Sequence, residues 1–266
     1  MTRWHARVWI GLFLVGVLAG CASVPVPSGG AGRDWVTESD EPLARKRARV
    51  RLELAAGYFG QNQLTVALDE VKQALLIDPT FAPAYNLRGL IYMGLKEPRL
   101  AEDSYLQALR HAPQDGDALH NLGWFYCQEA RYTEATDAFQ RALRTPNYPS
   151  AARTWMTQGV CEARAGQKAE AERSFLRAYE LDAGNPITLY NLALLMHQRG
   201  ESERARFHIR RLNNSELANA ESLWLGIKIE NRLLNHEASR QLGEQLRRRF
   251  PESREAGAYE RGAFNE

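Results

Sequence analysis

The sequence predicts an all-α protein, a superhelical array of about six helix-turn-helix repeats, and three observations carry that expectation. The first is a period. Gly89 returns as Gly123, Tyr92 as Tyr126, Ala101 as Ala135 and Ala108 as Ala142, each step being 34 residues, a spacing that marks a helical-hairpin repeat. The second is the placement of small residues. Two helices approach closely only where one offers little side chain, and Gly89 and Ala101 supply that once per helix, with Tyr85, Tyr92 and Tyr105 at helical spacing to fill the gap. The third is the stop at Pro113, which lacks an N–H and clashes with the preceding turn. A unit of this kind buries its apolar face only by stacking on neighbours.

The punctuation resembles the tetratricopeptide repeat, which implies a right-handed superhelix, and six copies can be laid on its frame. Copy one, 48–81, carries Leu54, Ala55, Tyr58, Ala67, Val71, Ala74 and Pro79. Copy two, 82–115, has Arg88 where the pattern expects Leu. The fullest match is copy three, 116–151, with Leu122, Gly123, Tyr126, Ala135, Phe139 and Ala142, its proline displaced to Pro146 and two extra residues around Asn147 to Ser150. Copy four, 152–185, keeps Trp155, Gly159, Ala171, Phe175 and Ala178 but puts Glu162 in the Tyr position; copy five, 186–219, keeps Leu189, Leu192, Ala193 and Ala205. The last, 220–251, is degenerate as a capping repeat should be, with only Trp224, Ala238, Leu246 and Pro251 reading plainly.

The array is expected over 42–251, and what flanks it is of another kind. Residues 1–20 read as a signal peptide: Arg3 and Arg7 precede the apolar run Val8 to Leu18, which is too short to span a membrane. Leu18-Ala19-Gly20-Cys21 resembles the lipobox of bacterial lipoproteins. That resemblance implies lipidation of Cys21, and with Ala22 rather than Asp after it, sorting to the periplasmic face of the outer membrane. Residues 21–41, with VPVPSGGAGRD, read as a tether reaching at most roughly 70 Å. The tail 252–266, with Gly257 and Gly262, is expected to fray.

Charge and chemistry exclude several function classes. Without Arg3 and Arg7 the chain has 32 basic residues against 32 acidic ones, so its basic isoelectric point says nothing of nucleic acid. The clusters Arg45, Lys46, Arg47, Arg49, Arg51 and Arg247 to Arg249 read first as solvated helix faces. No phosphate-cradling glycine loop, HExxH, GxSxG or CxxC occurs, and His111, His120, His197, His208 and His236 are scattered singly. Neither an enzyme, a metal site, a cofactor nor a small-molecule substrate is expected. With Cys21 acylated, Cys127 and Cys161 remain, on first helices of adjacent repeats. A disulfide is the expectation if the two-residue insertion absorbs their offset, and two buried thiols the alternative.

Binding is what remains. In tetratricopeptide arrays the first helix of each hairpin lines the concave groove. Its positions here hold Leu52, Ala56 and Phe59; Pro83, Asn86, Leu90 and Met93; His120, Trp124 and Cys127; and Met156 and Val160. That is an apolar, peptide-docking surface. The lysines, asparagines and arginines with which some such domains clamp a carboxylate are replaced by Leu52, Ala56, Leu87, Asp117 and Asn121.

The lipobox, the tether, LAAGYFGQNQLTVALDEVKQALLIDP in the first repeats, and LWLGIKIENRLL with QLRRRFPES near the end together resemble the type IV pilus pilotins (PilF, also called PilW). The resemblance implies an adaptor held at the outer membrane by lipid on Cys21. It would grip the pilus secretin in the groove of its first repeats and promote the secretin's localisation and multimerisation. The alternative is a repeat lipoprotein serving peptidoglycan enzymes or outer-membrane protein assembly.

Overall fold

The computed structural model describes residues 41–264, and over them it is helical throughout. Six antiparallel hairpins follow one another: α1 (Leu43–Gly60) with α2 (Leu64–Ile77), α3 (Ala82–Gly94) with α4 (Pro98–His111), α5 (Gly116–Gln128) with α6 (Tyr132–Leu143), α7 (Ala151–Arg164) with α8 (Lys168–Leu181), α9 (Pro186–Gln198) with α10 (Ser202–Asn213), and α11 (Ala220–Arg232) with α12 (His236–Arg249). A short α13 (Arg254–Glu260) ends the array. The expected signal peptide, Cys21 and all of the tether but Glu41 lie outside the described residues.

Each hairpin closes around one small-to-large pair. A Cβ added at Gly89 would meet the Tyr105 ring at 2.5 Å, one at Gly123 the Phe139 ring at 2.8 Å, and one at Gly159 the Phe175 ring at 2.9 Å. At the same frame positions of the first and fifth repeats stand Ala55 with Val71 and Ala193 with Ile209, all four buried. Where the second helix offers an aromatic ring the first must offer glycine; where it offers a branched aliphatic, alanine suffices. Packing at crystal-like density leaves no other choice of sizes.

The turn inside each hairpin enters the left-handed region at one frame position, in Asn62, Lys96, Ala130, Gly166, Gly200 and Leu234. Glycine and asparagine adopt that region cheaply, and leucine does not. Leu234 is also 76% exposed and so contributes little packing. Leu234→Gly should therefore stabilise the protein by about 0.5–1 kcal/mol, read as a raised midpoint in urea; a lowered midpoint would show that Leu234 has contacts that matter.

Two departures from the repeat pattern are answered by serines at one frame position of the second helix. Arg88 donates from Nε to Ser104 Oγ at 2.9 Å and lies over the Tyr85 ring. Buried Glu162 accepts from Gln158 Nε2 at 2.7 Å and Ser174 Oγ at 2.6 Å. A carboxylate in a Tyr position is tolerable only because both of its oxygens are so paired.

Two expectations are corrected at the array's end. In the sixth repeat it is Ser239, not Ala238, that is the buried small residue. Over its described residues, 252–264, the tail is not a loose end: α13 is capped by Ser253, whose side chain accepts from the Ala256 N–H, and Tyr259 fills the space that the missing side chain of Gly243 leaves open. In this repeat the size rule is inverted, with bulky Ile227 on the first helix and glycine on the second, so the cavity opens outward to receive the cap.

Candidate functional site: the first-helix layer

Among the described residues the odd-numbered helices touch one another in sequence, α1 to α3 and onward to α11, whereas the even-numbered ones touch only odd-numbered partners. A two-layer array whose layers differ in this way bends toward the closer layer, which makes the odd helices the inner, concave surface. Cross-links join them. Asn121 Nδ2 donates to Asn86 Oδ1 at 3.0 Å, Arg153 pairs with Asp117 at 2.9 Å, and Arg164 lies 5.0 Å from the Trp124 ring centre. Cys127 and Cys161 are joined in a disulfide with Cα atoms 5.8 Å apart.

These links decide which of the predicted groove residues are free. His120 and Cys127 are not: His120 is buried with Nδ1 2.9 Å from Thr154 Oγ1, and Cys127 is spent in the disulfide. Pro83 and Ala56 are exposed, and Leu52, Phe59, Asn86, Leu90, Met93, Trp124, Met156 and Val160 are half-buried. Leu52 and Phe59 lean on the first repeat's core, Leu90 and Met93 on the second's, and Met156 and Val160 on the cluster beneath repeats four and five. Each thus shows part of an apolar side chain while held by the core. Among the described residues no group of three or more His, Cys, Asp and Glu could hold a metal.

Burial pushes the His120 imidazole down to about 4, helped by Arg153 and opposed by Asp117. It therefore stays neutral in the fold while the unfolded chain would bind a proton below about pH 6.5. A folded pKa below the unfolded one contributes stability above pH 6.5 that drains away between about 6.5 and 4, at up to about 1.4 kcal/mol per pH unit. His120→Asn should flatten this acid limb in melts taken from pH 7 to 4; an unchanged slope would exclude His120 as its source.

One part of the surface was misread from sequence. Val50 and Leu54 occupy frame positions three and seven of the first repeat, and Leu54 was expected to be buried consensus core. The same positions in later repeats are Ala84 with Arg88, Ala118 with Leu122, Thr154 with Gln158, Thr188 with Leu192, and Ser222 with Gly226. All but Arg88, which is half-buried, are buried there. In the first repeat Val50 is 57% and Leu54 45% exposed. The reason is positional: in later repeats the second helix of the preceding hairpin packs on this face, as α2 does on α3, and α1 has no such helix among the described residues. Leu43, Arg47, Val50 and Leu54 follow at helical spacing along one stripe. Of the basic run around it, two residues pair inside the hairpin, Arg45 with Asp78 and Thr80 and Arg51 with Glu70. The detectable signal was that Val50 and Leu54 are large and aliphatic at the array's first repeat, where a solvent-facing end should be polar.

The family profile of the tetratricopeptide repeat matches residues 86–152 and 128–186. The type IV pilus assembly protein PilF of Pseudomonas aeruginosa is 27% identical over 226 residues, 83% of this chain and 90% of its own. The crystal structure of PilW, described as a widely conserved type IV pilus biogenesis factor, superposes with a TM-score of 0.71 at 29% identity, covering 80% of this chain and 98% of that one. A solved structure of Pseudomonas aeruginosa PilF superposes with a TM-score of 0.74 at 26% identity, covering 82% of this chain and 99% of that one.

Proposed function

Because the chain is a PilF/PilW-like tetratricopeptide repeat protein, we propose that it acts in type IV pilus biogenesis as a pilotin: lipid on Cys21 anchors it to the outer membrane, and its first repeats grip the pilus secretin until the secretin ring forms. Repeat arrays of this kind serve as scaffolds for protein partners rather than as enzymes. The observation that carries the reading is the apolar first repeat. Val50 and Leu54 sit where later repeats receive a neighbouring helix, while Leu52 and Phe59, on the opposite side of the same helix, lean on the first repeat's core. An apolar face that no described residue covers calls for a partner, and a secretin segment of helical form would sit there as one more hairpin does elsewhere in the array.

The test is made in cells. Removing the protein should abolish secretin multimers in the outer membrane, and pili with them, while general porin content and cell shape stay as they were. Leu54→Asp, at a site that the fold leaves exposed, should reduce co-purified secretin by about tenfold or more, the scale of losing a buried apolar anchor. Secretin multimers that persist at the outer membrane without the protein would refute the reading. A folded Leu54→Asp variant that holds secretin undiminished would move the site off this face.

A further inference from the structure

At the other end of the array the inner layer is not an open groove. The short helix α13 lies against α11 and α12 and forms one wall of an open-sided cavity of about 340 Å³ that it shares with α9 and α11. Its lining is amphiphilic. Tyr190, Leu194, Trp224, Leu225 and Ala258 give it aromatic and aliphatic walls. Lys228, Arg254 and Arg261 bring three positive charges to it, and Glu221 and Glu255 two negative ones.

Lys228 is engaged within the fold, with its Nζ 5.6 Å from the Trp224 ring centre; the other four polar groups are less so. Among the described residues Arg254, Arg261, Glu221 and Glu255 form no ion pair, unlike most of the arginines of the preceding helices. Arg254, Ala258 and Arg261 recur at helical spacing, so α13 turns one stripe, two guanidinium groups with a small apolar residue between them, toward the cavity. Glu221 and Glu255 share the lining with Tyr190, whose hydroxyl pKa is raised by burial first and then by the charge of these two carboxylates.

We propose that this cavity binds an extended segment of a partner polypeptide that places a large apolar side chain between Tyr190, Trp224 and Leu194 and the acidic residue next to it on Arg254 and Arg261. The charge pattern favours this occupant. Two guanidinium groups take a carboxylate in fork geometry, while Glu221 and Glu255 accept the backbone N–H groups that an extended peptide brings with it. A phosphate, doubly charged and without donors, would be repelled by the same two acids. A saccharide would need an open aromatic face, and the Trp224 ring already has Phe264 at 5.7 Å and Lys228 Nζ at 5.6 Å from its centre. The site lies five repeats away from the exposed face of α1, so it is a second grip and does not depend on the first.

The test uses the full chain, immobilised, and a pool of peptides blocked at both ends with four randomised central residues. Retained peptides should be enriched in Phe, Tyr, Trp or Leu directly beside Asp or Glu. Changing that acid to its amide in a retained sequence should weaken binding about tenfold or more, as expected for loss of a charged hydrogen-bonded pair. R254Q/R261Q should abolish the enrichment with an unchanged melting curve, and each single substitution is measured beside the pair. L54D should leave it intact, which separates this site from the first-repeat face. A pool with no retained peptide, an enrichment without acids, or one indifferent to R254Q and R261Q would overturn the proposal, as would equal retention of a phosphate or saccharide probe that competes with the peptides.

Discussion

Removing the Cys127–Cys161 disulfide is expected to cost about 3–4 kcal/mol of stability, the loop-closure value for a bridge between residues 34 apart. For a chain of this size that corresponds to a fall in melting temperature of roughly 10 °C. The bridge fastens α5 to α7, and so repeat three to repeat four, at the junction where two additional residues break the period. Tyr148, from that insertion, covers Gly116 and reaches Thr154 Oγ1 at 3.1 Å, which makes the irregular junction a packed one. Stability in such arrays is close to a sum of repeat and interface contributions, so the loss should be local. Hydrogen exchange should quicken first in α5 to α8, while α1 and α2 keep their protection. Treating the unaltered protein with a thiol reductant keeps the sulfur atoms in place, and separates the covalent link from the packing of Trp124, Tyr126 and Tyr132 around it. C127A/C161A loses both. A reduced protein that melts within about 2 °C of the oxidised one would show that the bridge carries little of the load. The secretin capture proposed for α1 should survive reduction at temperatures below the new melting point.

How much of this was legible in the sequence follows from what a repeat frame encodes. It encodes relations inside a hairpin and between equivalent neighbours. Gly89 with Ala101, the six hairpins and the nearness of Cys127 to Cys161 are relations of that kind. The frame does not encode that an end is an end. Leu54 stands at a consensus position that is core wherever a hairpin precedes it, and its exposure follows because no hairpin precedes it among the described residues. His120 was placed in the groove by its frame position, but Thr154 of the next repeat takes its ring, and no single-repeat pattern carries that information. The cap α13 escaped for a different reason. Its sequence, REAGAYE, is short, contains glycine and has no repeat partner, so neither propensity nor periodicity marks it. Its anchor is a tertiary fit, Tyr259 against Gly243.

That fit is open to a direct test with the second large effect. Gly243→Leu should detach α13, because even a Cβ at this position would lie 2.0 Å from Tyr259 Cζ. The clash cannot be relieved by a rotation of Tyr259 alone: the ring belongs to the cluster of Leu223, Ile227, Leu246 and Ala256, and Phe264 stands against it at 6.2 Å. Overpacking of this kind costs about 1–3 kcal/mol when the element stays in place, and a helix of 7 residues has no stability of its own to resist displacement. Limited proteolysis should then cut within 252–262 while α1 to α12 remain intact. Tyr259→Ala empties the same space from the other side, so combining it with Gly243→Leu should cost less than the two changes summed. Additive losses, or an α13 as resistant to protease as before, would mean that the cap is held elsewhere. The outcome also reads out the logic of the two ends. An array needs a polar or covered face where it stops; α13 meets that need at the C-terminal end, and among the described residues nothing meets it on the face of α1 that carries Val50 and Leu54. Gly243→Leu should therefore destroy the peptide binding proposed for the α9–α11–α13 cavity yet leave the secretin capture proposed for α1 unchanged, whereas Leu54→Asp should do the reverse. Loss of both activities in either variant would show that the two ends are coupled through the array.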